Sequence, residues 1–270
     1  MSRSTTQRLL TRKVRGDEAR LVPDDLIVEE PLSIELDGSL VASTMRTPGN
    51  DFELAAGFCF TEGLVGPGDV QTIRYCGGGS AVATEFNVVT VETGRSSAVA
   101  TDDASSARRG LVSSSCGLCG SDAIHELADR IGPLPEHEPW DRDLLLSLPA
   151  QVKGHQPLHD ATGAVHLAAA VDRSGAVVVA REDIGRHNAV DKVIGRLLLD
   201  RALPASDLAL FVSSRASFEM VQKAWAGGFT ALVAVSGPSA LAVQSARRAG
   251  MTLAGFAREG RANFYSPDGA

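Results

Sequence analysis

Residues 208–257 read LALFVSSRASFEMVQKAWAGGFTALVAVSGPSALAVQSARRAGMTLAGFA. Three short apolar runs, LALFVS, ALVAVS and TLAGFA, alternate with FEMVQKAWAGG and SALAVQSARRAG, whose lengths suit helices. A half-exposed strand alternates apolar and polar residues, whereas these runs are almost continuously apolar. The pattern therefore predicts parallel strands in a sheet covered on both faces. Upstream, AVHLAAAV and AVVVA flank DRSG and predict a hairpin. HNAVDKVIGRLLLD follows, with apolar residues at 189, 190, 193, 194, 197 and 198, a helical stripe.

The N-terminal part has another texture. LSIEL and LVAST alternate around DGS and predict a hairpin. FELAAGFCFTEG predicts a short helix with Asn50 or Asp51 as N-cap and Gly63 beyond its end. QTIRY and NVVTVET read as strands, TGRSSAVATDDASSARRG as a loop, and DAIHELADRI and DRDLLLSLPAQV as helices. Three parts result: a disordered basic tail (1–20), a smaller α+β domain ending in a cysteine loop (21–120), and an α/β domain (121–270).

The chain has 270 residues, 44% hydrophobic and 22% charged, enough for a packed core. A net charge of −7 argues against non-specific nucleic-acid binding. No apolar run reaches the eighteen or so residues of a membrane span, and MSRSTTQRLLTRKVRG lacks the apolar centre of a secretory signal. The expected location is the cytoplasm, where thiols stay reduced unless they have a task.

The element order from residue 164 resembles the cytidine-deaminase-like fold. The fold class expected is thus α/β, with a C-terminal three-layer α/β/α domain on a mixed sheet beside the smaller α+β domain. Zinc deaminases hold their metal with an H-x-E motif and a P-C-x-x-C pair. Here those positions read His187 to Ala189 and Ser214 to Phe218, and no cysteine lies beyond residue 119. No metal is expected, and deamination is excluded.

Ligands of open α/β sheets sit beyond the carboxyl ends of the strands, where strand order reverses. Those ends carry REDIGRHN (181–188), SSRAS (213–217), SGPS (236–239) and REGR (258–261). Arg181, Arg186, Arg215, Arg258 and Arg261 could grip phosphate oxygens, helped by helix N-termini near Ser213 and Ser236. Asp183 could accept from a base or sugar, and His187 reads as a hydrogen-bonding group at a helix start. Any one stretch is explained by turns and caps alone; four on one edge favour an anionic ligand such as a nucleotide.

SSSCGLCGSD (113–122) places Cys116 and Cys119 in a polar, glycine-punctuated loop. Structural zinc needs further ligands; His155 and His159 of HQPLH lie far along the chain and are separated by Pro157. A thioredoxin-like site needs a core strand before the pair, and RRGLVSSS is a poor one. A sulfur carrier needs an exposed, mobile thiolate of lowered pKa, which Arg108, Arg109 and a helix starting near Ser121 could supply. The carrier fits best, but spacing does not by itself separate it from a redox pair.

Five stretches together resemble the FdhD family of formate dehydrogenase accessory sulfurtransferases. They are RTPGNDFELAAGFCFTEG (46–63), CGLCG (116–120), REDIGRHNAVDKVIG (181–195), SRASFEMVQKA (214–224) and the segment from Pro238 to Ser266. TGAVH (162–166) departs from the family pattern, which usually has a second glycine there. The resemblance implies a persulfide carrier: a cysteine desulfurase loads Cys116, Cys119 assists, and sulfur passes to the molybdenum cofactor in its bis-molybdopterin guanine dinucleotide form before insertion into formate dehydrogenase. It also implies a homodimer. LAGFAREGR (253–261) matches the family's cofactor-binding segment, which points to Leu253, Ala254, Gly255, Phe256, Ala257, Arg258 and Arg261, joined by Arg181, Asp183, His187, Ser213, Arg215 and Ser236 of the strand ends. The rivals are a cofactor-binding chaperone without sulfur transfer and a thiol-disulfide oxidoreductase.

Overall fold

The structure, a computed structural model, describes residues 4–76, 80–94, 129 and 131–267. The loop with Cys116 and Cys119, Arg108, Arg109 and most of DAIHELADRI lie outside the described residues.

The larger unit is a six-stranded sheet. In chain order its elements are α2 (Arg142–Gln151), α3 (Pro157–Thr162), β7 (His166–Asp172), β8 (Val177–Asp183), α4 (Arg186–Leu199), β9 (Leu208–Val212), α5 (Phe218–Ala226), β10 (Ala231–Ala234), α6 (Ala240–Ala249), β11 (Thr252–Arg258) and β12 (Arg261–Ser266). The strand order is β12-β11-β10-β9-β7-β8. Strands β9, β10 and β11 are parallel, while β7 is antiparallel to both β8 and β9, and β12 is antiparallel to β11. The sheet is therefore mixed, and β8 runs the same way as β9 to β11.

The crossovers β8-α4-β9, β9-α5-β10 and β10-α6-β11 all step in one direction, so right-handed connections put all three helices on one face. Their Val193, Ile194, Met220, Trp225 and Ala246 bury against Ala168, Ala170, Leu210, Val212, Leu232 and Leu253. The opposite face is closed by α2 and Trp140, with Leu145 and Leu148 packed on Leu167, Ala169, Val171, Phe211 and Val233. Alternate residues of one strand thus feed alternate cores, which is why these strands carry so few polar residues.

The smaller unit is a four-stranded sheet of order β4-β3-β6-β5, from β3 (Glu30–Leu36), β4 (Ser39–Arg46), β5 (Thr72–Tyr75) and β6 (Val88–Glu92). Helix α1 (Asp51–Thr61) buries Leu54, Ala55 and Cys59 on Leu32, Ile34, Val89 and Val91. Its other side lies on α4, so α4 is covered twice. Asp191 and Lys192, the charged pair that interrupts its apolar stripe, are only 2% and 1% exposed. Each is neutralised by a partner: Lys192 Nζ lies 2.7 Å from Asp183, and Asp191 lies 2.9 Å from Lys223 Nζ.

The basic tail is a further correction. Residues expected to be disordered form β1 (Thr6–Arg15), paired along its whole length with β2 (Glu18–Ile27). The turn is Gly16-Asp17 with Gly16 at φ +58°, a conformation glycine adopts freely. Arg8 donates twice to Asp25, both at 2.8 Å, and Lys13 to Asp24 at 3.0 Å, so two of the basic residues make cross-strand pairs on an exposed ribbon. Among the described residues no helix is long and apolar enough to cross a membrane.

Candidate functional site

Because β8 runs with β9, β10 and β11, the four stretches 181–188, 213–217, 236–239 and 258–261 do reach one edge of the sheet. The parallel strands, however, march in one direction without reversal. The cleft at this edge is built differently, by the α2–α3 segment folding against the face opposite α4 to α6. It is an open cavity of about 1110 Å³ lined by Lys153, Gln156, His159, His166, Phe211, Ser213, Val235, Ala257, Arg258, Glu259 and Arg261, with neighbours from 149–165.

Of the residues expected at the site, Ser213, Ala257, Arg258 and Arg261 line this cavity. Arg258 and Arg261 are direct cross-strand partners around Glu259-Gly260, and both are exposed. Like charges set opposite each other repel, so the pair favours an anion between or above them. One nitrogen of Arg258, Nη1, donates to the carbonyls of Val235 and Ala257, which fixes the guanidinium at the rim. Ser213 Oγ accepts from the Leu167 N–H at 2.9 Å and lies 3.5 Å from His166 Nδ1. Burial, then the charges of Arg186 and His187, push the His166 pKa down, so its imidazole is neutral at pH 7.

Other expected site residues have structural partners. All three guanidinium nitrogens of Arg181 are used: Nε and Nη2 donate to Glu53 at 2.5 and 2.8 Å, and Nη1 to the Ala180 carbonyl. Asp183 is fully buried and accepts from the N–H groups of Thr47 and Gly185, from Asn188 Nδ2 and from Lys192. Both are joint residues, not groups free for phosphate or ribose; the sequence placed them at the correct edge but could not show their partners. Leu253 and Ala254 are core residues on opposite faces of β11, and Gly255 is buried under Pro238 and Tyr265. Phe256 differs: it is 50% exposed, has φ +53° at a register shift, and lays its ring over Gly237.

His187 Nε2 lies 2.6 Å from Glu219, bridging the first turns of α4 and α5, and this bond holds the Glu219 carboxyl below its usual range. Nearby, Arg186 Nε and Ser217 Oγ are buried atoms with no partner among the described residues. Arg215 is exposed, outside the cavity lining, and Ser236 stitches loops through its backbone to Ser214 and Phe256.

The missed residues are Lys153, Gln156, His159 and His166. HQPLH was read only as a possible zinc pair. The usable signal was the basic content of 153–166 just before β7, because an antiparallel strand brings its amino end to the edge where its neighbours end.

The donor set fits a phosphate-bearing ligand: three permanent cations and two imidazoles, His159 and His166, against one carboxylate, Glu259. The comparisons agree with the motifs. The FdhD/NarQ family profile matches residues 27–269. A protein of Streptomyces avermitilis named sulfur carrier protein FdhD is 44% identical, over 98% of this chain and 95% of that one. A protein of the same name from Mycolicibacterium paratuberculosis is 42% identical over 97% of each. The fold is shared with a crystal structure from Desulfotalea psychrophila, provisionally described as a formate dehydrogenase accessory protein, at a TM-score of 0.75 and 24% identity, covering 98% of this chain and 99% of that one. The chain thus belongs to the FdhD/NarQ family.

Proposed function

We propose that the protein is a sulfur carrier serving formate dehydrogenase, working in the cytoplasm as a homodimer. The family match over residues 27–269, with relatives named sulfur carriers, is the observation that carries this reading. The CGLCG stretch supplies the chemistry.

In this scheme the Cys116 thiolate attacks the outer sulfur of a cysteine desulfurase persulfide. The new S–S bond makes Cys116–S–SH, and the desulfurase leaves as its thiolate, so no external oxidant or reductant is needed. Cys119 then attacks the inner sulfur: a Cys116–Cys119 disulfide forms, the outer sulfur departs as hydrosulfide towards the cofactor, and a cellular dithiol reduces the disulfide to restore the Cys116 thiolate for the next round. The cargo is the molybdenum bis-molybdopterin guanine dinucleotide cofactor, and its phosphates dock in the cavity against Arg258 and Arg261. The opposed arginines and the lack of a carboxylate cluster among the lining residues support that docking.

The deciding experiment is mass spectrometry of the peptide holding Cys116 and Cys119. The protein is incubated with a cysteine desulfurase and cysteine, then alkylated without reduction. One extra sulfur on Cys116, dependent on desulfurase, is expected. No extra sulfur while the cofactor still binds would leave a chaperone that shields the cofactor without carrying sulfur.

A further inference from the structure

We infer that Lys153 is a phosphate-binding residue on the wall facing Arg258 and Arg261, so that a docked nucleotide's diphosphate is held from two sides. This rests on the reading of the cavity as the docking site. Three observations carry it. Lys153 lines the same cavity as both arginines but comes from the α2–α3 segment, not from the β11–β12 turn. It is exposed and has no ion-pair partner among the described residues, whereas Lys192 and Lys223, the buried lysines, are each paired with carboxylates.

Its backbone is also held in place. Val152, the preceding residue, is 1% exposed in the core under α2. The Glu182 carboxylate of β8 accepts from the N–H groups of Leu158 and His159 at 2.9 and 2.8 Å, which pins the start of α3 to the sheet. The 3-10 turn Lys153–His155 is thus fixed at both ends, and the lysine is presented from an anchored wall. Three cations from two walls hold a diphosphate more firmly than the two arginines could, since a second side of the anion gains a charged donor.

The test uses the full-length protein and calorimetric titration with inorganic pyrophosphate and with GDP. Lys153→Met should weaken both about tenfold, the loss expected for one charged hydrogen bond. Lys153→Arg should restore most of the affinity. Arg258→Met should weaken both similarly, and Arg248→Met, on the exposed side of α6, should change neither. Unchanged binding in Lys153→Met beside a loss in Arg258→Met would overturn the inference and leave the docking site standing. A wild-type protein that binds neither probe would overturn the docking site itself. GDP binding no tighter than pyrophosphate would overturn the nucleotide as the source of the diphosphate. The melting temperature of each variant, expected within a few degrees of wild type, separates lost binding from lost folding.

Discussion

Gly57 of α1 and Gly195 of α4 cross so closely that a methyl group on either would overlap the other helix. A Cβ on Gly57 would lie 1.9 Å from the Asp191 carbonyl oxygen, and one on Gly195 would lie 1.8 Å from that of Glu53. Two glycines in helix interiors cost conformational entropy in isolation. Here they let two backbones touch and bring the flanking charges of both helices within bonding range.

Gly195→Ala should therefore destabilise the protein despite the better helix propensity of alanine. The contact is with backbone, which cannot rotate away, so the helices must separate. A loss of about 3 kcal/mol is expected from overpacking of this kind. Urea unfolding would measure it, and a stability equal to wild type would show that the joint can open without penalty.

Lys223 carries the second prediction. Its ammonium donates to Asp191, Thr61 and Glu62. Burial opposes the charge, but the Asp191 and Glu62 carboxylates outweigh it, and the pKa lies above the ordinary lysine value. Burial already raises the Asp191 pKa, and Lys223→Met removes the ammonium that opposes the rise, so the carboxyl is left either unpaired or forced to take up a proton, a loss of about 3–5 kcal/mol. Adding Asp191→Leu to Lys223→Met should recover part of that loss, because the unpaired charge is gone. A double mutant less stable than Lys223→Met would contradict this account.

His166 makes stability depend on pH. Its folded pKa is lowered, so the unfolded chain takes up the proton first and stability falls as pH drops through about 6.5, the unfolded value. Above that pH the contribution is flat. Melting temperatures at pH 7.5 and 5.5 should fall less in His166→Gln than in wild type.

Cys59 should be inert. Burial, then the charge of Asp191, pushes its thiol up to about 12, so almost no thiolate exists at pH 8. Iodoacetamide should leave it unlabelled in the native protein and label it in urea. Labelling in the native state would mean that α1 lifts from its sheet.

The hairpin β3–β4, helix α1 and the whole run from β7 to β11 were legible, because each rests on local periodicity and turn residues. The hairpin β1–β2 was not, because the basic composition of 1–20 led to a disordered tail and its turn Gly16-Asp17 went unread. In the ribbon Arg8 faces Asp25, while Lys13 faces Arg20 and bonds diagonally to Asp24, pairings that only the strand register decides. The cavity was half legible: Arg258 and Arg261 sit at a strand end as expected, while Lys153 and His166 reach the same place through an antiparallel strand, a fact of sheet order.

Sequence alone determined the two core faces of the central strands, the helices between them and the CxxC motif, since these depend on neighbours within a few residues. Tertiary structure alone decided which charged residues face solvent. Arg181, Asp183, Asp191 and Lys192 carry the local signature of a polar surface, and each is taken out of water or bonded inward by a partner distant in the chain or one turn away on a neighbouring element. A charge is buried only where an opposite charge or a row of donors meets it: Asp183 meets Lys192 once α4 lies on β8, Asp191 meets Lys223 once α5 lies beside α4, and Arg181 meets Glu53 once α1 has docked on α4.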